Sequence, residues 1–87
     1  MTINELKDEL RTNNLLLGSI QVRINEKCFS PNILGIFKGN NIFFIYDTND
    51  RGNLIILDKG NENDMCNALH RRLKKIDVRN RKKYIKF

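Results

Sequence analysis

Two apolar, β-rich runs, Ile33–Phe37 and Ile42–Tyr46, stand on either side of Lys38-Gly39-Asn40-Asn41. The second run consists only of branched and aromatic residues, which suit a pleated, packed surface. Gly and Asn tolerate the positive φ that a tight hairpin turn requires. This stretch therefore predicts a β-hairpin, and the rest of the chain must be arranged around it. Neither run alternates cleanly between apolar and polar. Both faces of the hairpin are expected to be covered, one by helices and the other by a second copy or a partner.

The elements around the hairpin follow from local pattern. Thr2-Ile3-Asn4-Glu5 has the spacing of a capping box, and Ile3, Leu6 and Leu10 share one helical face, so a helix is expected over 3–12. Ile20, Val22 and Ile24 alternate with Ser19, Gln21 and Arg23, as in a strand with one wet face. Leu54–Leu57 reads as a further strand after the polar loop 47–53. Asn61 is a candidate helix cap. Met65, Leu69, Leu73 and Ile76 then form an apolar stripe, with acids at the start of the helix and bases at its end. The expected fold is α+β: an antiparallel β-meander of three to four strands flanked by an N-terminal and a C-terminal helix. Residues 1–77 form the single domain, and 78–87 a basic tail that either frays or adds an edge strand through Tyr84–Phe87.

At 87 residues the chain buries a small core, roughly 60–65% of its unfolded surface. That leaves a homodimer or a permanent partner open. No apolar run reaches the ~18–20 residues of a membrane span. The first residues, TINELKDEL, carry acids and no apolar signal core, so the expected compartment is the cytoplasm. Cys28 and Cys66 lack neighbours at metal-ligand spacing and are expected as free thiols.

The net charge of +6 is unevenly placed: residues 70–87 hold nine lysines and arginines against one acid, and the remainder is slightly acidic. The basic end could bind phosphates, with Tyr84 and Phe87 stacking on bases. In the middle of the chain Asp47, Asp50, Asp58, Glu62 and Asp64 outnumber Arg51 and Lys59. If the loop before the third strand lies near the start of the last helix, these acids form a patch beside an exposed Tyr46. Such a patch would suit a basic partner.

Signals of chemistry are sparse. Asp47, Asn49, Gly52 and Asp58 fall at calcium-loop positions, but Arg51 occupies a ligand position and Asp58 replaces the bidentate Glu. His70, the single histidine, lies four residues after Cys66, without an oxyanion motif. No phosphate-binding Gly-rich loop occurs. No catalytic, metal or cofactor residue is assigned, and the chain reads as a non-enzyme.

From Ile36-Phe37-Lys38-Gly39-Asn40-Asn41 through Arg72, the order of features resembles small immunity proteins of bacterial polymorphic and contact-dependent toxin systems. The parallels are the hairpin turn, Ile45-Tyr46, Asp50-Arg51-Gly52, Leu57-Asp58, Glu62–Asp64, Cys66 and Ala68-Leu69. Asp50 stands for the family's Glu and Leu57 for its usual Phe. The resemblance implies an inhibitor that binds and neutralises a cognate toxin domain, a basic nuclease and by expectation an endoribonuclease. Tyr46, Asp47, Asp50, Asp58, Glu62 and Asp64 would be the contacts. The alternative is a small basic RNA-binding protein or a ribosome-dependent mRNA interferase toxin, acting through Arg79, Arg81, Lys82, Lys83 and Tyr84.

Overall fold

The computed structural model describes residues 1–84. Its elements are α1 (Ile3–Thr12), β1 (Gln21–Ile24), β2 (Ile33–Gly39), β3 (Ile42–Thr48), β4 (Leu54–Gly60) and α2 (Glu62–Tyr84). The four strands form one sheet in the order β1-β2-β3-β4. The α+β class with a helix at each end matches the sequence reading.

The hairpin forms as the turn chemistry dictates. Asn40 and Asn41 both take positive φ, at 50° and 65°, so two residues reverse the chain between β2 and β3. Positive φ at both positions matches the right-handed twist of the flanking strands. β3 and β4 are also antiparallel, with a bulge at Ile45/Tyr46.

The meander ends there. β1 runs parallel to β2, with Gln21 beside Ile33 and Ile24 beside Ile36, so the sheet is mixed. The link 25–32 is therefore a crossover and no hairpin. It crosses the sheet face opposite the helices, and two side chains of β3 fasten it. Tyr46 Oη donates to the Glu26 carbonyl at 2.7 Å. Thr48 Oγ1 donates to the Ser30 carbonyl at 2.6 Å and accepts from the Ile33 amide at 2.8 Å. At the far end of the link, a Cβ on Gly52 would run into the Phe29 carbonyl, and Gly52 has φ +80°.

The sheet thus has two packed sides. On the helix side, Leu34, Ile36, Phe43 and Ile45 meet Ile3 and Leu6 of α1 and Met65, Cys66, Leu69 and Leu73 of α2. On the outer side, Ile33, Phe37 and Tyr46 form a second cluster with Cys28, Phe44 and Leu54. The crossover supplies part of the cover that the two-sided apolar hairpin demands.

The helix caps agree with the sequence. Thr2 Oγ1 accepts from the Glu5 amide while Glu5 reaches back to the Thr2 amide. Asn61 Oδ1 accepts from the Asp64 amide at 2.8 Å. The end of α2 differs from expectation: the segment taken as a tail continues the helix to Tyr84. Tertiary bonds hold that extension. Asp77 accepts the Leu16 amide at 2.7 Å, Asn80 donates to the Leu16 carbonyl at 2.8 Å, and Arg81 donates to the Asn14 carbonyl at 2.7 Å. Residues 85–87 of the expected edge strand lie outside the described residues.

Candidate functional site

Sheet geometry separates the six acidic and aromatic candidates. Asp47 lies near the end of β3 and Asp50 in the loop that follows, whereas Asp58 lies near the end of β4 and Glu62 and Asp64 in the first turn of α2. Six steps along β4 at about 3.3 Å each put roughly 20 Å between the loop at Asp50 and the start of α2, and Asp47, in register with Ile55, lies three steps or about 10 Å from Asp58. The single acidic patch expected from the sequence therefore does not form.

Each candidate has its own environment. Tyr46 is fully buried, contrary to the expected exposed aromatic. Its ring crosses β2 over Gly35, where a Cβ would sit 2.7 Å from both the ring and the Arg23 carbonyl. Burial raises its phenol pKa. Glu62 is half-buried, and its Oε2 accepts the Ile3 amide at 2.9 Å, tying α2 to the start of α1. Asp58 bonds the amide of Lys59 at 2.8 Å. Asp64 accepts from the side chain of its own cap, Asn61, at 3.1 Å. Asp50 is exposed, in a loop organised by Asn49, whose Oδ1 accepts the amides of Arg51 and Asn53, each at 2.9 Å. That Asn49 oxygen closes the loop on itself and does not turn toward a cation site.

Asp47 faces a different feature. It lies in a cleft of about 390 Å³ between the sheet and α2, together with Asn32, Thr48, Arg72, Lys75 and Arg79. The three cations fall at i, i+3 and i+7, one row along the helix. None has an ion-pair partner among the described residues. Arg81, named in the nucleic-acid alternative, is committed to Asp77 at 2.8 Å and to the Asn14 carbonyl.

The thiols differ sharply. Cys66 is buried, and desolvation pushes its thiol up to about 11, which keeps it protonated and unreactive. His70 meets Glu9 at 4.0 Å, with no activated nucleophile beside it. Cys28 is half-buried in the crossover, and hydrogen bonds from Ser30 and Arg23 lower its thiol pKa. Among the described residues, no three metal-ligating side chains converge. Likewise no described helix is long and apolar enough to cross a membrane.

What the sequence reading missed is the outer sheet face. Phe37 and Phe44 stack with centroids 5.1 Å apart, and Lys27 Nζ sits 4.7 Å above Phe37. A groove of about 470 Å³ runs between the crossover and β4, lined by Lys27, Phe29, Phe37, Leu54 and Ile56 among others. Phe29 is 66% exposed, Ile56 45% and Ile42 40%. Large apolar side chains are seldom gathered on one open surface without a partner. The pattern of two apolar strands hinted at this face, but the crossover that frames the groove has no local sequence signature. No protein-family model, curated protein or solved structure matches the chain.

Proposed function

We propose that this protein is the immunity component of a bacterial toxin–immunity pair. It acts in the cytoplasm, without catalysis, by binding a cognate toxin domain and blocking its activity. The observation that carries the reading is the outer sheet face, where Phe29, Ile42 and Ile56 stand exposed around the stacked pair Phe37–Phe44. A rigid aromatic and aliphatic surface of this kind suits the anchor of a protein–protein interface. The feature order from Ile36 through Arg72 supplies the class of partner. The face also revises where contact is expected: Tyr46 lies beneath it as support, and Asp50 sits in the loop whose Gly52 and Asn53 line the outer groove, while Asp58, in register with Ile45, and Asp64 of α2 belong to the helix side. A nuclease toxin, whose substrate cleft is basic, remains the partner of choice for a face with Asp50 beside it.

The test is co-expression with the product of the immediately upstream gene and purification through a tag on one partner. A stoichiometric complex that abolishes the neighbour's toxicity supports the reading. Recovery of this chain alone, with toxicity unchanged, overturns it.

A second reading rests on the row Arg72, Lys75 and Arg79 over the cleft. Unpaired cations at this spacing suit the phosphates of a nucleic acid. The reading requires RNA affinity that falls steeply with salt, with a log–log slope of about −0.7 per phosphate contacted on a single strand. Fluorescence anisotropy at two salt concentrations decides it.

A further inference from the structure

The free edge of β4 has a different chemistry from the outer face. β4 is the last strand of the sheet and has a neighbour on one side only. Seven residues long and without proline, it leaves alternate backbone N–H and C=O groups on its outer edge without a ladder partner. Its first four residues are Leu54-Ile55-Ile56-Leu57, with no charge among them. Ile55 is 49% exposed on the helix side, in register with Asp47, and Ile56 is 45% exposed on the outer side, in register with Tyr46. Apolar side chains thus flank the open backbone on both sides. The opposite edge is blunted. β1 has four residues, and its Arg23 pairs with Glu26 at 3.5 Å.

We propose that β4 pairs antiparallel with β4 of a second copy, joining two sheets into one of eight strands. The edge is self-complementary in two respects. A two-fold axis through Ile55, normal to the sheet, sets Ile55 against Ile55 and Leu54 against Ile56, so apolar residues of the same face meet. It also sets the start of one β4 beside the end of its mate. The start follows Asp50-Arg51 and the end carries Asp58-Lys59, so each end presents one acid and one base. All four charged residues are exposed. None has an ion-pair partner among the described residues. Each end is therefore neutral, and no net like charge opposes the pairing. The basic row of α2 lies on the helix side, over a cleft that Leu57 of β4 also lines. Pairing also sets two outer faces side by side, without using them up.

Sedimentation velocity on the purified full chain tests the pairing independently of any toxin. The wild type is expected as a species of twice the 10.3 kDa chain mass at tens of micromolar. Ile55→Lys, a change at a half-exposed position, is expected to weaken association at least about tenfold while leaving the melting of the dilute protein unchanged. Ile55→Cys is expected to cross-link the two copies as a disulfide on mild oxidation, because the axis sets residue 55 against itself. A wild type that stays monomeric overturns the proposal. So does a dimer that Ile55→Lys leaves intact, or one that Ile55→Cys does not cross-link.

Discussion

Replacing Gly35 by alanine should be among the most damaging single-methyl changes in this protein. The added Cβ would lie 2.7 Å from Cε1 and Cζ of Tyr46 and 2.7 Å from the Arg23 carbonyl oxygen. Ordinary carbon contacts need about 3.5 Å or more, so something must move by nearly an ångström. The Arg23 carbonyl is backbone of a paired strand. The Tyr46 ring is fully buried, packs edge-on to Phe37 at 5.5 Å, and is pinned through its hydroxyl to the Glu26 carbonyl. Overpacking of this kind costs about 1–3 kcal/mol. Loss of the Tyr46 hydrogen bond adds about 0.5–1.5 kcal/mol. The expected total is about 2–4 kcal/mol, a melting shift of roughly 10–25 °C for a domain of this size. Urea unfolding followed by circular dichroism measures it. The cycle with Tyr46→Leu isolates the cause: without the ring, the cost of Gly35→Ala should fall by at least about 1 kcal/mol. A Gly35→Ala variant within ~0.5 kcal/mol of wild type, or strictly additive effects, would refute the account of how the crossover is held.

Three further outcomes follow from the same geometry. Leu69→Ala, at a fully buried position facing the sheet, should cost about 2–5 kcal/mol by denaturant unfolding. A thiol reagent on the native protein should modify Cys28 and spare Cys66, whose thiol is buried and pushed up to about 11; denaturation should expose both. Asp77 is held below its ordinary value of 3.8, chiefly by the Leu16 amide. Its contribution is therefore full above that value and lost as the pH falls through the lowered one. Asp77→Asn should be less stable than wild type at neutral pH, and the gap should close on acidification, as followed by melting temperature against pH.

The legible parts of the fold were those with local causes. Gly39-Asn40-Asn41 marks its own turn, Thr2 and Glu5 mark their own cap, and the stripe from Met65 to Ile76 marks its buried face. Alternation at Ile20, Val22 and Ile24 identifies a strand but carries no information on its partner, so the parallel pairing of β1 was not readable. The helical end of α2 was missed because it lacks an apolar stripe and is held instead by Asp77, Asn80 and Arg81 on residues 14–16. Tyr46 looked like a surface contact because its burial depends on Gly35 and Glu26, far away in sequence. The acidic patch failed because β4 holds the loop at Asp50 and the start of α2 at its opposite ends, and because Tyr46 is buried.

The most direct test of the toxin-neutralising account is a titration of the upstream toxin's activity with this purified protein. The account predicts a linear loss that reaches zero at one equivalent of toxin-binding sites, and a weakened end point when Ile42 and Phe29 on the outer face are replaced by serine. Full toxin activity in a large excess of the wild-type protein would contradict it.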